Sequence, residues 1–149
     1  MKKWMLALAA LIWFTPVKGT DVGKLLPVEL VSLRREGETL RVETDTGDFG
    51  MGDTLEEAMD NLKRTAQGEI FLETADYLLL SPDSQSAWPK LSGYFRPGTL
   101  VYQTADAVDP EEAAQYLRTR RAGIPLNRMG ENGSLPVIKE EEGRVELAE

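Results

Sequence analysis

The sequence predicts an α+β (or α/β) fold with a single mixed β-sheet, helices packed mainly on one face, an N-terminal β-hairpin and the order ββαβ(α)βα(ββ). Three observations lead there. Residues 39–46, "TLRVETDT", alternate cleanly, with Leu40, Val42 and Thr44 on one face and Arg41, Glu43 and Asp45 on the other. A second strand-like run stands just ahead of it across a short glycine turn, which makes a hairpin. Farther on, Leu55, Met59, Leu62 and Ala66 recur at spacings of four, three and four, one face of a helix. Strand and helix signals then go on alternating, as a sheet with packed helices requires.

Taken in order, residues 1–19 read as a signal peptide. Lys2 and Lys3 form a basic head, Trp4 to Phe14 an uncharged apolar core, and Thr15-Pro16 a break before Val17-Lys18-Gly19. The apolar core is short for a membrane span; an uncleaved N-terminal anchor is the rival reading, and both predict export. Residues 20–149 are then one α+β domain. Val28 to Arg34 forms the first strand, apolar on both faces, and Thr39 to Thr46 the second. Glycines 47, 50 and 52 form a loop, which supplies positive φ for a tight crossing. A helix follows, capped by Asp53 or Thr54, with Glu56 or Glu57 reaching back. Gly68 closes it, and Glu69 to Leu80 gives a strand bent near Thr74-Ala75.

Pro82 suits the first turn of a helical piece that Pro89 divides, with Trp88, Leu91, Tyr94 and Phe95 as its buried face. Thr99 to Thr104 is the next strand. Asp109-Pro110-Glu111-Glu112 is the clearest helix start in the chain: an Asp cap, a Pro at the first helical position and a Glu reaching back, with Val108 stapled against Ala113. Ala113, Tyr116 and Leu117 face inward. Arg118, Arg120 and Arg121 lie where the negative end of the helix dipole favours cations. Two short strands around Glu142-Gly143 end the chain.

Composition removes whole classes of chemistry. The 149 residues carry a net charge of −8, and without Lys2, Lys3 and Lys18 the balance is 14 basic against 25 acidic residues, or −11. So negative a surface repels phosphate backbones, which argues against nucleic acid as a partner. There is no cysteine, so the fold stands without disulfides and no lipid can be attached to an N-terminal cysteine. There is no histidine, which removes Ser-His-Asp and Cys-His nucleophiles and nearly every transition-metal site. No cofactor is expected.

The stretch that most resembles chemistry is "ETDTGDFGMGDTLEEAMDNL", residues 43–62. Asp45-Thr46-Gly47 matches the tripeptide that carries an aspartic protease's carboxylate. Such an enzyme needs two carboxylates sharing one proton, and the flanking Glu43 and Asp48 would add repulsion. A calcium loop numbered from Asp45 fails at its third and fifth positions, Gly47 and Phe49. A looser cation site of Asp45, Asp48 and Asp53 is the remaining metal candidate. Against these stands a plain turn, with acids gathered at a helix N-terminus, and it accounts for every residue. Gly47, Gly50 and Gly52 lack the spacing and the lysine of a phosphate loop. Asn132-Gly133-Ser134 reads as a turn before it reads as a glycosylation acceptor, "RTRR" at 118–121 as a solvated helix end, and "KEEEGR" at 139–144 as a charged hairpin.

The order of elements also resembles a family. Gly52, Thr54, Glu57, Ala58 and Leu62, followed by Ile70-Phe71 and Leu78-Leu79-Leu80, resemble a Gly-x-Thr-x-x-Glu-Ala-x-x-x-Leu helix and its succeeding strand. That pattern is found in the N-terminal domain of the Ger(x)C-type spore germination proteins. The run "LSGYFRPGTLVYQTADAVDPEEAAQYL" resembles that family's next block. The resemblance implies a non-enzymatic envelope component of a spore-forming bacterium that contacts membrane subunits of a germinant receptor, with no catalytic residues. The function expected is therefore protein–protein contact at the cell envelope. The alternative is a secreted carboxylate-dependent hydrolase or an acidic cation-binding domain built on residues 45–53.

Overall fold

The computed structural model describes residues 25–131 and 134–148; the signal peptide predicted for 1–19 and the Asn132-Gly133 turn lie outside them. Nearly every predicted element is present. Strands β1 (Leu25–Pro27), β2 (Leu30–Glu36), β3 (Thr39–Thr44) and β4 (Phe49–Gly52) precede helix α1 (Leu55–Thr65). Then come β5 (Glu69–Phe71), β6 (Tyr77–Leu80), the short helix α2 (Trp88–Leu91), β7 (Leu100–Thr104) and helix α3 (Pro110–Leu117). Strands β8 (Ile124–Pro125), β9 (Val137–Glu141) and β10 (Arg144–Leu147) complete the described chain.

The main sheet is mixed, in the order β10-β9-β7-β6-β2-β3-β4. Its centre, β9-β7-β6-β2, is parallel, and antiparallel pairs close both ends. Strands β8 and β9 divide one edge of β7 between them: β8 pairs antiparallel with Leu100 and Val101, β9 parallel with Gln103 and Thr104. The β2–β3 hairpin turns at Gly37, whose φ of +64° favours glycine, in the register Val31↔Thr44 to Glu36↔Thr39.

Alternation sorts the side chains onto two faces. On one, Val31, Leu33, Leu40, Val42, Leu78, Leu80 and Val101 pack with Leu55, Ala58, Met59 and Leu62 of α1 and with Leu91 and Phe95. On the other, Leu30, Tyr77, Leu79 and Tyr102 pack with Val108 and with Ala113, Ala114 and Leu117 of α3. Helices α1 and α2 thus share a face as predicted, and α3 covers part of the opposite one. Strand β2 is apolar on both faces for this reason.

The structure departs from the sequence reading in several places, strands β1 and β8 among them. The glycine loop is a strand, β4, lying directly beneath α1: a Cβ on Gly50 would stand 2.3 Å from the Ala58 carbonyl oxygen, and one on Gly52 2.5 Å from the Ala58 nitrogen. These glycines let two backbones approach; only Gly47, at φ +87°, serves positive φ. The bent strand 69–80 is two strands in different sheets. β5 pairs in parallel with β1, a 3-10 turn over Leu72–Thr74 intervenes, and β6 enters the main sheet. The Thr74 hydroxyl joins the two levels by accepting from the Val28 N–H and donating to the Val28 carbonyl. Finally, Leu91 and Phe95 are buried, but Trp88 is 40% exposed. It opens α2 at the surface, with its ring beside Gly130.

Candidate functional site

Residues 43–62 form three successive backbone caps. At the end of β3 the Asp45 carboxylate turns onto β2: its Oδ1 accepts the N–H groups of Glu29 (3.0 Å) and Leu30 (3.1 Å), while its own N–H donates to the Leu30 carbonyl (3.1 Å). Both amides lie ahead of Val31, where the register with β3 begins, and Asp45 supplies the acceptor for each. The next turn closes on itself. The Thr46 hydroxyl donates to the Asp48 carboxylate at 2.8 Å, and the Thr44 N–H to the Asp48 carbonyl at 2.9 Å. At α1, Thr54 is the cap, accepting from the Glu57 N–H at 3.2 Å, and the Glu57 carboxylate receives the Asp53 N–H at 3.0 Å. This is a capping box displaced by one residue at its returning arm.

The cation site considered for Asp45, Asp48 and Asp53 does not form. Strand β4 runs between Asp48 and Asp53, and five residues of extended chain span about 16 Å. Among the described residues no three acids are grouped to hold a metal ion. In the protease tripeptide, Asp45 Oδ1 is likewise engaged by its own chain, while Thr46 and Gly47 are exposed.

Instead, the fold gathers residues that sequence spacing does not connect. A cleft of about 400 Å³ opens where β2 and β6 begin, lined by Pro27, Val28, Glu29, Asp45, Thr74, Asp76 and Arg118. The Arg118 guanidinium grips Glu29 through Nε (2.8 and 3.0 Å) and Nη2 (2.6 Å). Asp76 pairs with Arg96. Among the described residues no lysine or arginine forms an ion pair with Asp45, although its charge is felt by Arg118. Burial pushes the Asp45 carboxyl above the ordinary aspartate range, against the opposing pull of the Leu30 and Glu29 amides. The spacing of Arg118 past α3 suggested only a solvated helix end, because its partner lies 89 residues away.

A second feature lies on the sheet face beside α3. In register, β3 and β4 present Arg41 opposite Met51 and Glu43 opposite Phe49. Phe49 is 46% exposed, and the Arg41 guanidinium stacks 4.3 Å from its ring centroid. The outer edge of β4 is closed by α1: Asn61 Oδ1 accepts the Met51 N–H at 3.0 Å and the Thr65 hydroxyl donates to the Phe49 carbonyl at 3.0 Å. The opposite edge of the sheet is β10; Lys139 of β9 bridges Glu141 of its own strand and Glu146 of β10, as expected of a charged hairpin, and the Tyr116 hydroxyl caps the Leu147 N–H.

No helix among the described residues is long and apolar enough to cross a membrane. Comparison of the chain with family models, with curated proteins and with solved structures yields no match.

Proposed function

We propose that this is an exported, non-catalytic domain that acts by protein–protein contact at the cell envelope, in the manner of a spore germination component. The observation that carries the reading is the division of labour along residues 43–57. The carboxylates of Asp45, Asp48 and Glu57 are engaged in caps and turns, while Phe49, between them, stands in solvent under a stacked arginine. Arginine beside an exposed aromatic is a composition that contact surfaces favour. Export rests on the basic head and apolar core of residues 1–19, and the germination role on the resemblance of the segment from Gly52 to Leu80.

Complementation of a deletion strain tests it. Phe49→Asp, confirmed to be folded, is expected to abolish rescue of the germination defect. The double variant Asp45→Asn/Asp48→Asn keeps the acceptor oxygens and is expected to rescue fully. The reverse pattern would favour a carboxylate-dependent hydrolase or a cation binder. For the cation arm, calcium is expected to leave the melting temperature unmoved, since a ligand binding only the folded state would raise it.

A further inference from the structure

We propose that Asp45 is a proton-operated clamp: neutral, it locks the start of β2 to the end of β3, and charged, it leaves that end of the sheet under electrostatic load. The geometry is a junction. One carboxylate oxygen holds two consecutive amides of the chain entering β2, and the same residue's N–H returns to Leu30, so three hydrogen bonds converge on one side chain.

Its charged surroundings come from every element that meets there. Through the cleft it shares walls with Glu29 ahead of β2, Asp76 ahead of β6 and Arg118 after α3. On its other side a smaller cleft of about 130 Å³ adds Glu43 from β3 with Asp109 and Glu111 from the start of α3. Among the described residues, five other carboxylates line the two clefts, Glu29 being the one whose charge acts on Asp45, and the guanidinium lining the larger cleft is held by both oxygens of Glu29. Desolvation, and after it the charge of Glu29, oppose the charged form. Protonation relieves them and keeps the clamp, with weaker hydrogen bonds, because a neutral carboxyl retains its carbonyl oxygen as acceptor for the two amides.

A proton that binds the folded chain more tightly than the unfolded one stabilises the fold, fully below the unfolded pKa and progressively less as pH rises through the folded one.

The test compares wild type, Asp45→Asn and Asp45→Ala by thermal melting from about pH 8 to about pH 4. Asparagine mimics the protonated clamp. It is expected to melt about 2–4 °C above wild type at the alkaline end, with the gap closing on acidification. Alanine, which removes the clamp, is expected to melt below wild type throughout. Carbon-detected NMR of the Asp45 carboxyl in the wild-type chain provides a second readout and should show a midpoint above that of the exposed aspartates. A gap that stays constant with pH, an asparagine variant melting below wild type at every pH, or an ordinary midpoint would overturn the proposal.

Discussion

Gly50 and Gly98 are the same residue type with opposite consequences. A methyl group at Gly50 would enter the backbone of α1, 2.3 Å from both the Ala58 oxygen and the Leu62 nitrogen, whereas one at Gly98 meets nothing within 4 Å. Gly50→Ala is therefore expected to cost about 2–3 kcal/mol, the scale of an overpacked core. Gly98→Ala should be neutral or stabilise by up to about 1 kcal/mol, by narrowing the unfolded ensemble. Urea melts of the two variants, read at their midpoints, check both. Tyr102 is another residue whose worth lies in one atom. Its ring is buried between β6 and α3, and its hydroxyl accepts the Ala122 N–H and donates to the Arg120 carbonyl. Tyr102→Phe keeps the packing but strands two backbone groups, so a loss of about 1–2 kcal/mol is expected in the same melts. Composition announced neither effect, because both depend on which backbone passes nearby.

Among the elements, those with local causes were legible and those with distant causes were not. Helix α1 could be read from its spacing and cap, and α3 from Asp109, whose carboxylate accepts the Glu112 N–H at 3.0 Å. The β2–β3 hairpin followed from alternation around Gly37. Strand β4 could not be read this way, since Gly-x-Gly signals a loop until one knows that a helix lies on it. The separation of β5 from β6 was equally hidden, as β5 owes its existence to β1, more than forty residues earlier. The candidate site shows the same contrast: the turn at 45–48 and the capping box were visible, while the convergence of Glu29, Asp76 and Arg118 on Asp45 was not. The cover over β4 offers an element-level prediction. With Asn61→Ala the Met51 N–H loses its acceptor, so its hydrogen exchange should accelerate at least tenfold, a local opening cheaper by about 1.4 kcal/mol or more. Adding Thr65→Val should also make the edge sticky, seen as light scattering on heating.

On the scale of the whole molecule, charge and topology dominate. The excess of acids is spread over a surface whose ion pairs are mostly exposed, such as Lys90 with Glu56 at 3.8 Å, and these contribute little individually. Self-repulsion is then the larger effect, and raising salt from about 0.02 M to about 0.3 M should lift the melting temperature by screening it. Scanning calorimetry at the two ionic strengths would show the opposite shift if paired charges governed stability. The parallel strands β2, β6, β7 and β9 stand side by side in the order in which they occur along the chain. Each new strand is therefore laid against one already made. A nascent chain emerging N-terminus first can finish β2, β3, β4 and α1 as a seed of short-range contacts, then extend it outward without leaving a gap for a later arrival to fill. Pulse-labelled refolding should find the amides of that seed protected ahead of β9 and β10. The growth of the sheet would then follow the reading of the message.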